Sequence, residues 1–112
     1  MDDRERLTQQ MSEIGTRYLR RTVGEMDRLQ ELCAALPQGG AEALKEIEHL
    51  AHKMHGTGAM FGFDQVSEAA GELEQFAVPR STYDGDYLRQ LSVLIARLRE
   101  YVAAAAKARG LT

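Results

Sequence analysis

Three histidines, His49, His52 and His55, recur at three-residue spacing, and the stretch AHKMHGTGAMFGF (residues 51–63) adds three glycines, Gly56, Gly58 and Gly62. The surrounding sequence reads as a helix, where each interior glycine costs roughly 0.5–1 kcal/mol relative to alanine. Imidazoles in such a place suit metal ligation, acid–base catalysis or nucleophilic capture of a phosphoryl group. Glu46 and His49 read Glu-x-x-His, the spacing of di-iron bundles, but that architecture needs two such pairs and no second one exists. A surface zinc on Glu48, His49 and His52 is the remaining metal reading, and the expectation is that the protein holds no metal. Acid–base catalysis would require a pocket, which an outward histidine lacks unless a partner supplies the other wall. Phosphoryl capture asks less of the chain. Positioning and charge stabilisation carry most of that chemistry, so a bare helix contributes only the nucleophile when the docked partner brings Mg²⁺ and its acidic site.

The element that must position these residues is a helix over about residues 41 to 60. Successive residues turn by about 100°, and the stripe of Leu44, Ile47, Ala51 and Met54 sets the inward direction. His52 lies about 120° from the middle of that stripe and faces solvent, with His49 and Lys45 on the same side, Lys53 on one flank and His55 at the margin of the other. Gly56, one turn beyond His52, leaves the turn beside the imidazole without a side chain. Lys53 and a protonated His55 then stand where they add positive charge near three phosphoryl oxygens. Gly58 and Gly62 have a structural explanation of their own, since small residues let helices approach or end them.

Apolar spacings of three and four run through the rest of the chain, and no stretch alternates with the period of a strand. A short helix is expected over residues 3 to 12 with Leu7 and Met11, and a longer one over about residues 14 to 36, stopped at LPQGG. After FGF, Asp64 is a plausible N-cap for a helix carrying Val66, Ala69, Ala70, Leu73 and Phe76 and ending before Pro79. A last helix starts near Asp84 and closes with Lys107, Arg109 and Gly110. Short connections favour antiparallel neighbours. The expected fold is all-α, one domain over residues 1–112: an antiparallel four-helix up-down bundle with a short N-terminal capping helix.

Composition narrows the partners. A formal net charge of −3 with both signs interspersed argues against a nucleic-acid surface. The single cysteine, Cys33, excludes an internal disulfide framework and reads as a buried thiol in a reducing compartment. No apolar run is long enough to span a bilayer, and the charged start MDDRERLTQQ is unlike a signal peptide. A cytoplasmic monomer that meets other proteins is expected.

These residues resemble the histidine-containing phosphotransfer (HPt) family, whose pattern is His-x-x-Lys-Gly followed six residues later by Gly. Here it reads HKMHG and then TGAMFG, and VSEAAGELE (residues 66–74) looks like the family's following helix. The resemblance implies that His52 accepts the phosphoryl group, that Gly56 and Gly62 are the pattern's two glycines, and that Glu74 stands where the family often has a polar residue near the histidine. His55 departs from the pattern by replacing its lysine. The resemblance further implies a relay between a sensor histidine kinase or a receiver aspartate and a response-regulator receiver, with no cofactor of its own and Mg²⁺ on the receiver. Sensor-kinase dimerisation helices typically place an acidic residue after their histidine, whereas Lys53 follows here, and no glycine-rich ATP-binding segment accompanies it. Autophosphorylation is therefore not expected. The alternative is a non-catalytic helical adaptor that docks a kinase or receiver without accepting phosphate.

Overall fold

The computed structural model describes residues 2–79 and 83–111. Its first helical run, Asp3–Met60, breaks at Gly40, whose φ of 56° and ψ of −135° lie outside helical space. The break separates α1 (residues 3–39) from α2 (residues 41–60); α3 (Asp64–Phe76) and α4 (Gly85–Ala108) follow. Only a glycine takes such a left-handed φ without strain. Pro37 lies inside α1, in its last turn, where its missing N–H forfeits one helical bond and does not end the helix, so the stop falls at the last residue of LPQGG rather than at about residue 36.

Cross-helix pairs fix the topology. Arg28 meets Glu46 and Lys53 meets Glu25, so α2 runs back along α1. Ser67 reaches the His55 carbonyl and Arg97 reaches Glu72, which turns α3 against α2 and α4 against α3. Arg99 pairs with Asp27, closing α4 against α1. The result is the expected antiparallel up-down bundle, with no strand among the described residues. Its core brings together one apolar stripe from each helix: Met26, Leu29 and Leu36; Leu44, Ile47, Ala51 and Met54; Val66, Ala70 and Leu73; Leu91, Ile95, Leu98 and Val102. Burial of these side chains stabilises the fold, at about 1.5–3 kcal/mol for each large one.

The separate N-terminal capping helix is a correction. Residues 3–12 run straight on into α1, capped by the Asp2 carboxylate, which accepts from the Glu5 N–H at 2.8 Å. The apolar pattern lapses at Ser12 and Glu13, but nothing there breaks a helix. At about 1.5 Å per residue α1 is about 55 Å long, matching the 56 Å longest extent of the molecule. Its first turns project past the other helices, leaving Leu7 60% and Met11 42% exposed. Asp64 is likewise the first-turn acid of α3, with Phe63 at the N-cap position and no side-chain cap. Asp84 does cap α4, accepting from the Tyr87 N–H at 2.8 Å. Cys33 is half-buried, not buried, and desolvation pushes its thiol up.

Candidate functional site

The face formed by α2 and α3 carries the site. His52 projects from the outer side of α2 with 71% of its side chain exposed, while Met54, two residues on, is buried in the core. The angular reading of the stripe therefore holds. A methyl group built on Gly56 would meet nothing within 4 Å, so the turn beside the imidazole is open.

The three glycines of the stretch answer three different demands. Gly56 leaves space. Gly58 lies on the other side of the helix, where a methyl group would stand 3.1 Å from Tyr18 Oη and 3.4 Å from Ser67 Cβ, so it is the point at which α1 and α3 both close on α2. Gly62 has φ +78° and ends α2. The N–H of Phe63 donates to the Gly58 carbonyl at 2.8 Å and that of Gly62 to the Ala59 carbonyl at 3.2 Å, a paired C-terminal turn that lets α3 begin at once.

That turn brings Glu74 back beside His52. His52 Nδ1–H donates to Glu74 Oε2 at 2.6 Å, and His55 Nδ1–H donates to Glu74 Oε1 at 3.2 Å, so one carboxylate joins two imidazoles. An ionised carboxylate only accepts, which places the proton of each ring on Nδ1. The hydrogen bond from His52 foremost, and then that from His55, holds the Glu74 carboxyl below the usual carboxylate range, against desolvation, which acts the other way. With Nδ1 protonated, a neutral His52 carries its lone pair on Nε2, the ring nitrogen turned away from Glu74. The arrangement is an exposed imidazole whose tautomer is fixed by a neighbour and whose remaining lone pair is turned away from that neighbour.

Lys53 reaches toward α1, donating to Glu25 Oε2 at 3.3 Å. A shallow cleft beside it is lined by Ile14, Arg17, Tyr18, Arg21 and Phe61, setting two arginines on the same flank. Glu46, half of the Glu-x-x-His pair, is taken by Arg28, whose Nε and Nη2 donate to it at 2.6 and 3.0 Å. Among the described residues no three His, Cys, Asp or Glu side chains are gathered as a metal ion would need. Sequence reasoning missed the supports behind the site. Tyr18 Oη donates to the Met54 carbonyl at 3.0 Å and Ser67 Oγ to the His55 carbonyl at 2.8 Å, pinning α2 from both sides. Burial chiefly raises the Tyr18 phenol, keeping it a donor. Only the pairing of helices reveals these contacts.

The family model of the Hpt domain matches residues 18–108, which takes in α2, α3, α4 and α1 from Tyr18 onward, leaving out its projecting first turns. No curated protein and no solved structure gives a match. No helix among the described residues is long and apolar enough to cross a membrane.

Proposed function

The chain belongs to the Hpt domain family, and from that premise we propose that His52 carries a phosphoryl group between a sensor histidine kinase or receiver aspartate and a response-regulator receiver. A role connected with phosphotransfer in two-component systems comes with the family; the relay through His52 is the further step. The observation that carries it is the 2.6 Å bond from His52 Nδ1–H to Glu74, on an imidazole whose other side is open.

The His52 Nε2 lone pair attacks the phosphorus of an aspartyl phosphate on the docked receiver. The N–P bond forms as the O–P bond to the aspartate breaks, and the aspartate leaves as a carboxylate. No proton has to move. The ring keeps its Nδ1 proton and becomes a cation, which the adjacent Glu74 carboxylate stabilises. The reverse step delivers the group to a second receiver. Arg17, Arg21 and Lys53 offer a positive flank to the acidic receiver site, which holds the Mg²⁺, so this chain needs no cofactor of its own.

The test is incubation with a phosphorylated receiver and Mg²⁺. The chain acquires one phosphoryl group, labile to acid and stable to base, and His52→Gln abolishes the label while leaving stability within about 0.5 kcal/mol of the parent. Labelling of the variant refutes the assignment of His52. Stable binding of the receiver by a parent that stays unlabelled identifies an adaptor instead.

A further inference from the structure

We infer that His55 is a positioning residue: seated in the space left by Gly71 of α3, it holds the Glu74 carboxylate that orients His52. The inference rests on the reading of His52 as the phosphoryl acceptor and assigns His55 a part that the lysine of the family pattern would not play.

Gly71 is buried in α3, one turn before Glu74. A methyl group built on it would stand 3.2 Å from His55 Cε1 and 3.3 Å from both Nδ1 and Nε2, so the imidazole occupies the place where a side chain at 71 would go. All three of these ring atoms are nearly equidistant from that point, which means the ring lies over Gly71 rather than touching it with an edge. The His55 backbone is fixed too, because its carbonyl accepts from Ser67 Oγ of the same helix α3 at 2.8 Å. From this seat Nδ1–H reaches Glu74 Oε1. Glu74 is 27% exposed and has three rotatable side-chain bonds. Held only by the exposed His52 it is free to swing; held by a second donor on its other oxygen, from a half-exposed ring laid over Gly71, its plane is set. A flexible lysine ammonium at position 55 brings charge but has no flat ring to fill the seat.

The experiment uses the full chain, with ¹⁵N-labelled histidine, at about pH 8.5, above the ordinary imidazole range. Two-bond ¹H–¹⁵N correlations report the His52 tautomer, and phosphoramidate, a small phosphodonor that needs no docking, reports the phosphorylation rate of His52. In the parent His52 is the Nδ1–H tautomer. His55→Ala and Gly71→Ala each move it toward a mixture and slow phosphorylation by about 3- to 10-fold, the worth of one hydrogen bond. His55→Asn, whose amide puts a donor where Nδ1 stood, restores both. The double variant His55→Ala with Gly71→Ala is no slower than His55→Ala alone, since the methyl group has no ring to displace. Should Gly71→Ala fail to fold, the His55→Ala and His55→Asn pair decides. An unchanged His52 tautomer in His55→Ala, with only the melting temperature lowered, overturns the inference and leaves His55 as packing. A parent that phosphoramidate does not label refutes His52 as acceptor, while the tautomers still decide what His55 does.

Discussion

Gly56 and Gly58 stand two residues apart on α2 and face opposite ways. Outside Gly56 a methyl group meets nothing, whereas at Gly58 it meets Tyr18 and Ser67 at once. The same contrast holds for the polar groups on the two sides. Inward, Tyr18 stacks on Phe63 with ring centroids 5.7 Å apart, bonds to the Met54 carbonyl and packs beside Phe61, and the Arg109 guanidinium closes over Phe63 at 4.9 Å. Outward, His52 has the Glu74 carboxylate on one side and open approach on the other. Rigidity on this helix is built on the inner face and borrowed by the outer one. The His52 ring can remain open because the backbone beneath it is held by groups on the opposite face of the helix.

Four measurements bear on that comparison. Gly58→Val has the largest effect on stability: the branched side chain drives into Tyr18 and Ser67, and overpacking of this kind costs about 1–3 kcal/mol, read as a shift in the denaturant midpoint, while the folded fraction loses less in its rate of accepting phosphoryl than Glu74→Gln does. Glu74→Gln reverses that pattern. It removes the charge that both imidazoles bond to, and phosphotransfer slows about tenfold, equivalent to about 1.4 kcal/mol, with a near-parental midpoint at neutral pH. Gly56→Ala separates the two properties in one protein: α2 gains about 0.5–1 kcal/mol, yet transfer from a receiver slows because the methyl group narrows the approach to His52. A Gly56→Ala variant that is both more stable and faster would break the comparison. The smallest effect lies in acid. The Glu74 carboxyl is held low in the fold, so its contribution to stability is complete above the ordinary glutamate value of about 4.3 and is lost as pH falls through the lower folded value. Melting temperature against pH should therefore fall less steeply below about pH 4 in Glu74→Gln than in the parent.

Much of the outer face was legible in the sequence, because helical periodicity alone determines which residues share a side. The stripe of Leu44, Ile47, Ala51 and Met54 is buried and His52 is open, as the spacing requires. What depends on the pairing of helices was not legible. Nothing in the spacing of α2 says that Gly71 sits under His55, or that Glu74 reaches both rings, because that depends on the register of α3 against α2. The helix ends misled for a related reason. Ser12 and Glu13 interrupt the apolar pattern without interrupting the backbone, and Asp64, a strong cap by type, falls one residue inside α3 because the turn at Gly62 delivers Phe63 to the cap position. A lapse in hydrophobic pattern marks where a helix stops being covered, not where it stops.

The turn at Gly62 also acts as a length gauge. His52 precedes Gly62 by ten residues and Glu74 follows it by twelve, so the two arms of the hairpin are nearly equal and their chemistry meets at the same height. One added residue in the turn would carry Glu74 about 1.5 Å along α3 and about 100° around it, out of reach of both imidazoles. The second glycine of the motif thus acts on the imidazoles without coming near them. It sets a count, and the count decides whether His52 meets the carboxylate that fixes its tautomer.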